Sequence, residues 1–129
     1  MPKVTQLTLS LESKPGVLAQ LTATLARAGV NIQGVSAPEV AGKGKVRVVV
    51  DDPERARAAL KAAKLRAGEE AALAVTLENR PGALAQVAEK LARGKVNIKC
   101  VYATTYGAGP ATAILTVSNV DKALALLGG

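Results

Sequence analysis

The chain has 129 residues, enough for one ordinary domain or two minimal ones, with 49 % apolar and 21 % charged residues, a globular balance that argues against disorder. No apolar run approaches the ~18 residues a membrane span needs, and the start Met1-Pro2-Lys3-Val4-Thr5 has no signal-peptide core, so a cytoplasmic location is the default expectation. The net charge of +7 raises the question of a nucleic-acid partner, but the basic residues are scattered and the only aromatics are Tyr102 and Tyr106, too few to stack on bases.

Residues 5–11 alternate, with Thr5, Leu7, Leu9 and Leu11 on one face, and predict a strand. A Pro15-Gly16 turn follows. Leu18, Leu21, Leu25 and Ala28 then recur at helical spacing and predict a buried stripe, with Pro15 at the helix start and Gly29 at its end. A second strand begins at Val30, Ala41-Gly42-Lys43-Gly44 marks a turn, and a third strand is predicted over 45–50. Asp52-Pro53 places a capping side chain before a proline at the first helical position, with Ala56, Ala59, Leu60 and Ala63 as the buried stripe. A short fourth strand is expected near 64–67, and Glu69-Glu70 reads as a solvated linker.

The same order then repeats. A shift of 66 residues lays Leu11-Glu12-Ser13-Lys14-Pro15-Gly16-Val17-Leu18 on Leu77-Glu78-Asn79-Arg80-Pro81-Gly82-Ala83-Leu84, and Val30-Asn31-Ile32 on Val96-Asn97-Ile98; 14 of 25 positions are identical between 11–35 and 77–101. Copy two gives a strand over 72–78, a helix with Leu84, Val87, Ala88 and Leu91 ending at Gly94, and a strand from Val96. A turn at 107–110, a strand over 111–117 and a last helix with Val120, Ala123, Leu124 and Leu127 complete it, where Ser118-Asn119-Val120-Asp121 resembles a capping box. The domains are therefore expected at 1–68 and 69–129.

Each copy is β-α-β-β-α with two helices on one face of an antiparallel sheet, the ferredoxin-like arrangement. One copy of ~65 residues buries only a marginal core. The α+β units are expected side by side in a continuous antiparallel sheet with helices on one face; joining through the second strands would remove two exposed edges. Copy two has no room for a fourth strand, which leaves the edge beside 72–78 open. A homodimer, or a chain segment folded over it, is expected to cover that edge.

The chemistry points away from catalysis. There is no His, which removes the commonest general base and metal ligand. Cys100 is the only cysteine, so no internal disulfide forms, and with no His partner an activated thiolate is poorly supported. Asp51-Asp52 is explained by helix capping, and the glycines of the β-β turns are in the wrong context for a nucleotide-binding loop. No cofactor and no metal site is expected.

What is duplicated is a loop. Glu12-Ser13-Lys14-Pro15-Gly16 and Glu78-Asn79-Arg80-Pro81-Gly82 join a strand to a helix N-terminus, which presents unpaired N–H groups and suits an anion such as a carboxylate. Gly16 and Gly82 allow a close backbone approach. Asn31 and Asn97 open the next strand and offer both donor and acceptor. Loop and Asn together match a free amino acid; equally, Pro-Gly can be turn punctuation and the Asn a helix-closing residue.

The segment Leu77–Leu84, Leu-Glu-Asn-Arg-Pro-Gly-Ala-Leu, followed by Val96-Asn97-Ile98, resembles the ACT domain, and the resemblance covers both copies. It implies a βαββαβ regulatory module that binds amino acids at domain interfaces, here a free-standing tandem. In amino-acid-binding members the loop of one domain and the second-strand Asn of its neighbour hold the ligand. Carried over, Asn79, Arg80, Gly82, Ala83 and Leu84 face Asn31 and Ile32, and Ser13, Gly16, Val17 and Leu18 face Asn97 and Ile98. The family often has Asn or Asp where Ser13 stands, so the Asn79 site is expected to be the tighter. A partner subunit that regulates a separate enzyme without a ligand, and a basic-surface nucleic-acid binder, are the alternatives.

Overall fold

The computed structural model describes residues 3–105 and 107–128. Its elements run β1 (Lys3–Glu12), α1 (Val17–Arg27), β2 (Ile32–Ser36), β3 (Glu39–Val40), β4 (Lys43–Val50), α2 (Pro53–Ala62), β5 (Gly68–Leu77), α3 (Ala83–Arg93), β6 (Ile98–Ala103), β7 (Ala111–Val117) and α4 (Val120–Leu126). The chain divides into two compact units, Thr5–Glu70 and residues 3–4 with 71–128.

In the first unit β4 is the central strand. It pairs antiparallel with β1 (Leu7↔Val48, Leu9↔Val46) and with β2 (Val35↔Val48), and β3 adds Glu39↔Gly44. Opposed residues share a face, so Leu7, Leu9, Val46, Val48 and Val50 line one side of the sheet. Leu21 and Leu25 of α1 and Ala56 and Leu60 of α2 close over them in one buried cluster. Each such Leu contributes roughly 1.5–3 kcal/mol by leaving water. Asp52 caps α2, its carboxylate accepting from the Arg55 N–H at 3.1 Å, and Pro53 is the first helical residue.

The second unit repeats the plan around β7, which pairs antiparallel with β5 (Leu73↔Leu115) and β6 (Val101↔Leu115). Leu73, Val75, Leu77, Ala113, Leu115 and Val117 form its inner face, covered by Leu91 and Ala123 from the two helices. Both second strands carry a register break at the same place, between Ile32 and Gly34 and between Ile98 and Cys100. The repeat offset is 66 up to that strand. Val48 and Leu115 face the equivalent Leu7 and Leu73, so from β4 and β7 onward it is 67. The turn before β7 holds the added residue.

Several local expectations are corrected. Pro15 and Pro81 lie in the turn before the helix; the N-caps are Gly16 and Gly82, both left-handed at φ 92° and 87°. Leu18 and Leu84, each in the first turn of its helix, are exposed rather than part of the buried stripe. Gly44 is inside β4, and Gly42 takes the turn's positive φ. Gly94 caps α3 with φ −86°, and Lys95 takes the left-handed place after it. Gly94 is needed for packing: a Cβ there would lie 2.3 Å from a Leu126 methyl. Asn119, not Ser118, caps α4, accepting from the Lys122 N–H at 3.0 Å. Residues 64–67 are not a strand. Gly68–Glu70 at the start of β5 take that role beside β1, so Glu69-Glu70 is strand rather than linker. Glu70 accepts from the Gln6 amide at 2.8 Å, and Glu69 pairs with Arg57. In the second unit the open edge of β5 is met by a chain segment, Lys3-Val4 of β1.

Candidate functional site

The two duplicated loops fold alike. Val17 N–H closes the first turn on the Lys14 carbonyl at 3.4 Å, and the first helical bond runs from Gln20 N–H to the Gly16 carbonyl at 3.0 Å. The second loop repeats this with Ala83 on Arg80 at 3.3 Å and Gln86 on Gly82 at 3.0 Å. The N–H groups of Leu18 and Ala19, and of Leu84 and Ala85, therefore point out of the helix ends without an acceptor in the helix. Among the described residues no side chain caps either end, and neither first turn holds an acid to offset the partial positive charge there. Glycine is required at 16 and 82 by backbone angle, since a Cβ at either meets nothing within 4 Å.

The loop bases are paired with their own loop. Lys14 bonds Glu12 at 3.1 Å, which with the nearby Lys43 holds the Glu12 carboxyl below its usual range. Arg80 bonds Glu78 at 2.6 Å and reaches the Pro81 carbonyl at 3.4 Å. Arg80 is thus a loop brace with part of its guanidinium still exposed.

The loops differ at Ser13 and Asn79. Asn79 donates its side-chain amide to the Gly107 carbonyl at 2.6 Å and so ties the loop to the turn before β7. Among the described residues its side-chain oxygen makes no hydrogen bond. In the first unit the tie is made by backbone, Ser13 N–H to the Gly42 carbonyl at 3.2 Å. Beside the Asn79 loop lies a cavity of about 190 Å³. It brings together Asn79, Arg80, Ala83 and Leu84, with Thr104 and Thr105 at the end of β6. The two threonines were not legible as site residues; the Asn79–Gly107 bond that brings their segment to the loop spans 28 residues.

Asn31 and Asn97 are held by reciprocal backbone bonds. Asn31 N–H donates to the Asp51 carboxylate at 2.9 Å while Asp51 N–H donates to the Asn31 carbonyl at 3.1 Å. Asn97 does the same with Ser118, at 3.0 and 2.9 Å. This is the role of Asp51, and the reason Ser118 is not the cap. Both Asn side chains are exposed, and among the described residues neither makes a hydrogen bond. Ile32 and Ile98 are half-buried against their cores. The second strands are edges of their units, and Val35 and Val101 are exposed on them at 48 % and 41 %. Among the described residues no group of three or more His, Cys, Asp or Glu could hold a metal ion, and no helix is long and apolar enough to cross a membrane. Cys100 is a half-buried free thiol in β6.

Two α/β units of ferredoxin-like type, each with a glycine-opened helix start, define a tandem small-module protein. The family model for the ACT domain pair matches residues 2–127, and the chain belongs to that family. Its fold is similar to protein BT0572 from Bacteroides thetaiotaomicron, at 31 % identity and TM-score 0.90, covering 97 % of this chain and 86 % of that one. It is also similar to the ligand-free regulatory subunit of aspartate kinase from Thermus thermophilus, at 15 % identity and TM-score 0.68, covering 98 % and 91 %. The regulatory subunit from Thermus flavus aligns at 16 % and 0.65, covering 97 % and 90 %. No curated protein sequence matches.

Proposed function

We propose that this ACT domain pair is a regulatory module that binds a free amino acid rather than a catalyst. The observation that carries the reading is the open N-terminus of α3, set by left-handed Gly82, beside a cavity lined by Asn79, Arg80 and Leu84. The ligand carboxylate accepts from the outward N–H groups of Leu84 and Ala85. The ammonium is met by the Asn79 side-chain oxygen and by an Asn from a second strand, Asn31 with Ile32 beside it. The mirror site uses Ser13, Gly16, Val17 and Leu18 with Asn97 and Ile98, and is weaker because a Ser hydroxyl reaches less far than an Asn amide.

In this reading the second strand comes from another repeat, and the chain is a homodimer joined along the β2 and β6 edges. The exposed Val35 and Val101 support such a contact, since edge strands with apolar side chains are pairing surfaces. Two similar structures are regulatory subunits of aspartate kinase, so a separate enzyme is the proposed recipient of the signal, in the cytoplasm.

Isothermal titration with each of the proteinogenic amino acids, alongside light scattering, tests the proposal. Saturable heat from one of them and a dimer mass are expected. No heat from any would leave the reading of a ligand-free partner subunit. Binding to nucleic acid that weakens steeply with salt would replace both.

A further inference from the structure

We propose a second, separate site: the helix-free face of the first unit's sheet binds a phosphate-bearing small molecule in a groove lined by Lys45, Arg47, Arg66, Thr8 and Ser10. The strand register builds it. Ser10 opposes Lys45 and Thr8 opposes Arg47, so hydroxyls and cations stand together on the face opposite the Leu9–Val46 core pair. Arg66 approaches from the segment before β5, and Pro38 and Val40 form an apolar wall. The groove encloses about 590 Å³, the size of a small-molecule pocket. Gly68 keeps the strand close to Thr8, since a Cβ there would lie 2.9 Å from the Thr8 hydroxyl.

Among the described residues one carboxylate is ion-paired with these three cations. Glu70 is the acid in reach of Arg47, 3.6 Å from its Nε, and it already accepts from Gln6. That Nε is buried and, among the described residues, has no hydrogen-bond partner. Lys45 donates to the Ser10 hydroxyl at 3.0 Å, and among the described residues neither Lys45 nor Arg66 is ion-paired. Three cations against one carboxylate repel one another unless an anion joins them.

The second unit serves as an internal control. At the 67-residue offset Lys45 and Arg47 correspond to Thr112 and the buried Ile114, and at the 66-residue offset of the first strand Thr8 corresponds to Ala74. The fold forms without these cations, so their clustering in the first unit is not a packing requirement. Two forked guanidiniums and an ammonium match a doubly charged tetrahedral oxyanion better than a single carboxylate. The absence of Phe and Trp favours a small molecule over a nucleic-acid strand, whose bases need stacking partners.

Pyrophosphate is the probe, titrated into the full chain at constant ionic strength set with chloride. The expected result is saturable binding, weakened about tenfold or more by Lys45→Gln and by Arg66→Gln. Both residues are exposed, so both variants should keep the wild-type unfolding temperature; Lys99→Gln, on the other unit, should bind as wild type. The proposal is overturned if pyrophosphate gives no heat beyond chloride, if both groove variants bind unchanged, or if a single-stranded oligonucleotide binds more tightly than pyrophosphate. Amino-acid binding is read separately, so the two sites can fail independently.

Discussion

Replacing Gly82 by Ala isolates the backbone angle that opens the candidate site. The residue has φ 87° and ψ −6°, and a Cβ there would touch nothing within 4 Å. The cost is therefore conformational, about 1–2 kcal/mol for an L-residue in the left-handed region. Ala also narrows the unfolded ensemble, which returns roughly 0.4–1 kcal/mol. The net loss is about 1 kcal/mol, or roughly 3–6 °C in Tm for a chain of this size. Gly44→Ala is the control. Gly44 lies inside β4 at negative φ, and its Cβ would sit at an ordinary 3.7 Å from the Leu11 carbonyl, so it should be neutral or stabilising. Calorimetric and urea unfolding of both variants measure the difference. A Gly82→Ala protein as stable as Gly44→Ala would refute the claim that the angle, rather than space, requires glycine.

Gly94→Ala should lose about 1–3 kcal/mol in urea unfolding, because its Cβ would overlap the Leu126 side chain, and Leu126→Ala in the same chain should recover part of that loss. Asp52→Ala should lose about 1 kcal/mol, since it removes the acceptor for the Arg55 N–H at the start of α2. Lys14→Gln should raise the Glu12 pKa in a carboxyl NMR titration, because the hydrogen bond and charge of Lys14 hold it down. A depressed folded pKa stabilises above the unfolded value, and that stability is lost as pH falls through the folded one. The variant should therefore show a shallower acid limb in its pH–stability curve; an unmoved Glu12 pKa would contradict the assignment.

The repeat was legible because identities cluster where backbone geometry is strict: Pro15-Gly16 with Pro81-Gly82, and Val30-Asn31-Ile32 with Val96-Asn97-Ile98. Alternation of Leu7, Leu9 and Leu11 located the core face, and Asp52-Pro53 located α2. The failures share a physical cause, contacts made far along the chain. Periodicity puts Leu18 and Leu84 on the apolar stripe but cannot show that the first turn of each helix leaves them exposed. Glu69-Glu70 is polar enough for a linker; only Arg57, Arg47 and Gln6, brought alongside by the fold, make it strand. Nothing local in the sequence shows that Asn79 donates its side-chain amide to the Gly107 carbonyl, 28 residues on. The shift from 66 to 67, which makes Ile114 the counterpart of Arg47 in the repeat, depends on one added turn residue that local identity does not locate.

The central claim is that an amino acid is held jointly by the Asn79 loop and a second-strand Asn. Asn31→Ala tests it most directly, because that side chain is exposed and makes no hydrogen bond among the described residues, so stability should not change. Titration of the amino acid that binds the wild type should show affinity reduced by roughly 1–3 kcal/mol in the variant, with its unfolding midpoint unmoved. Equal affinity in wild type and variant, or no amino acid that binds the wild type at all, would contradict the account.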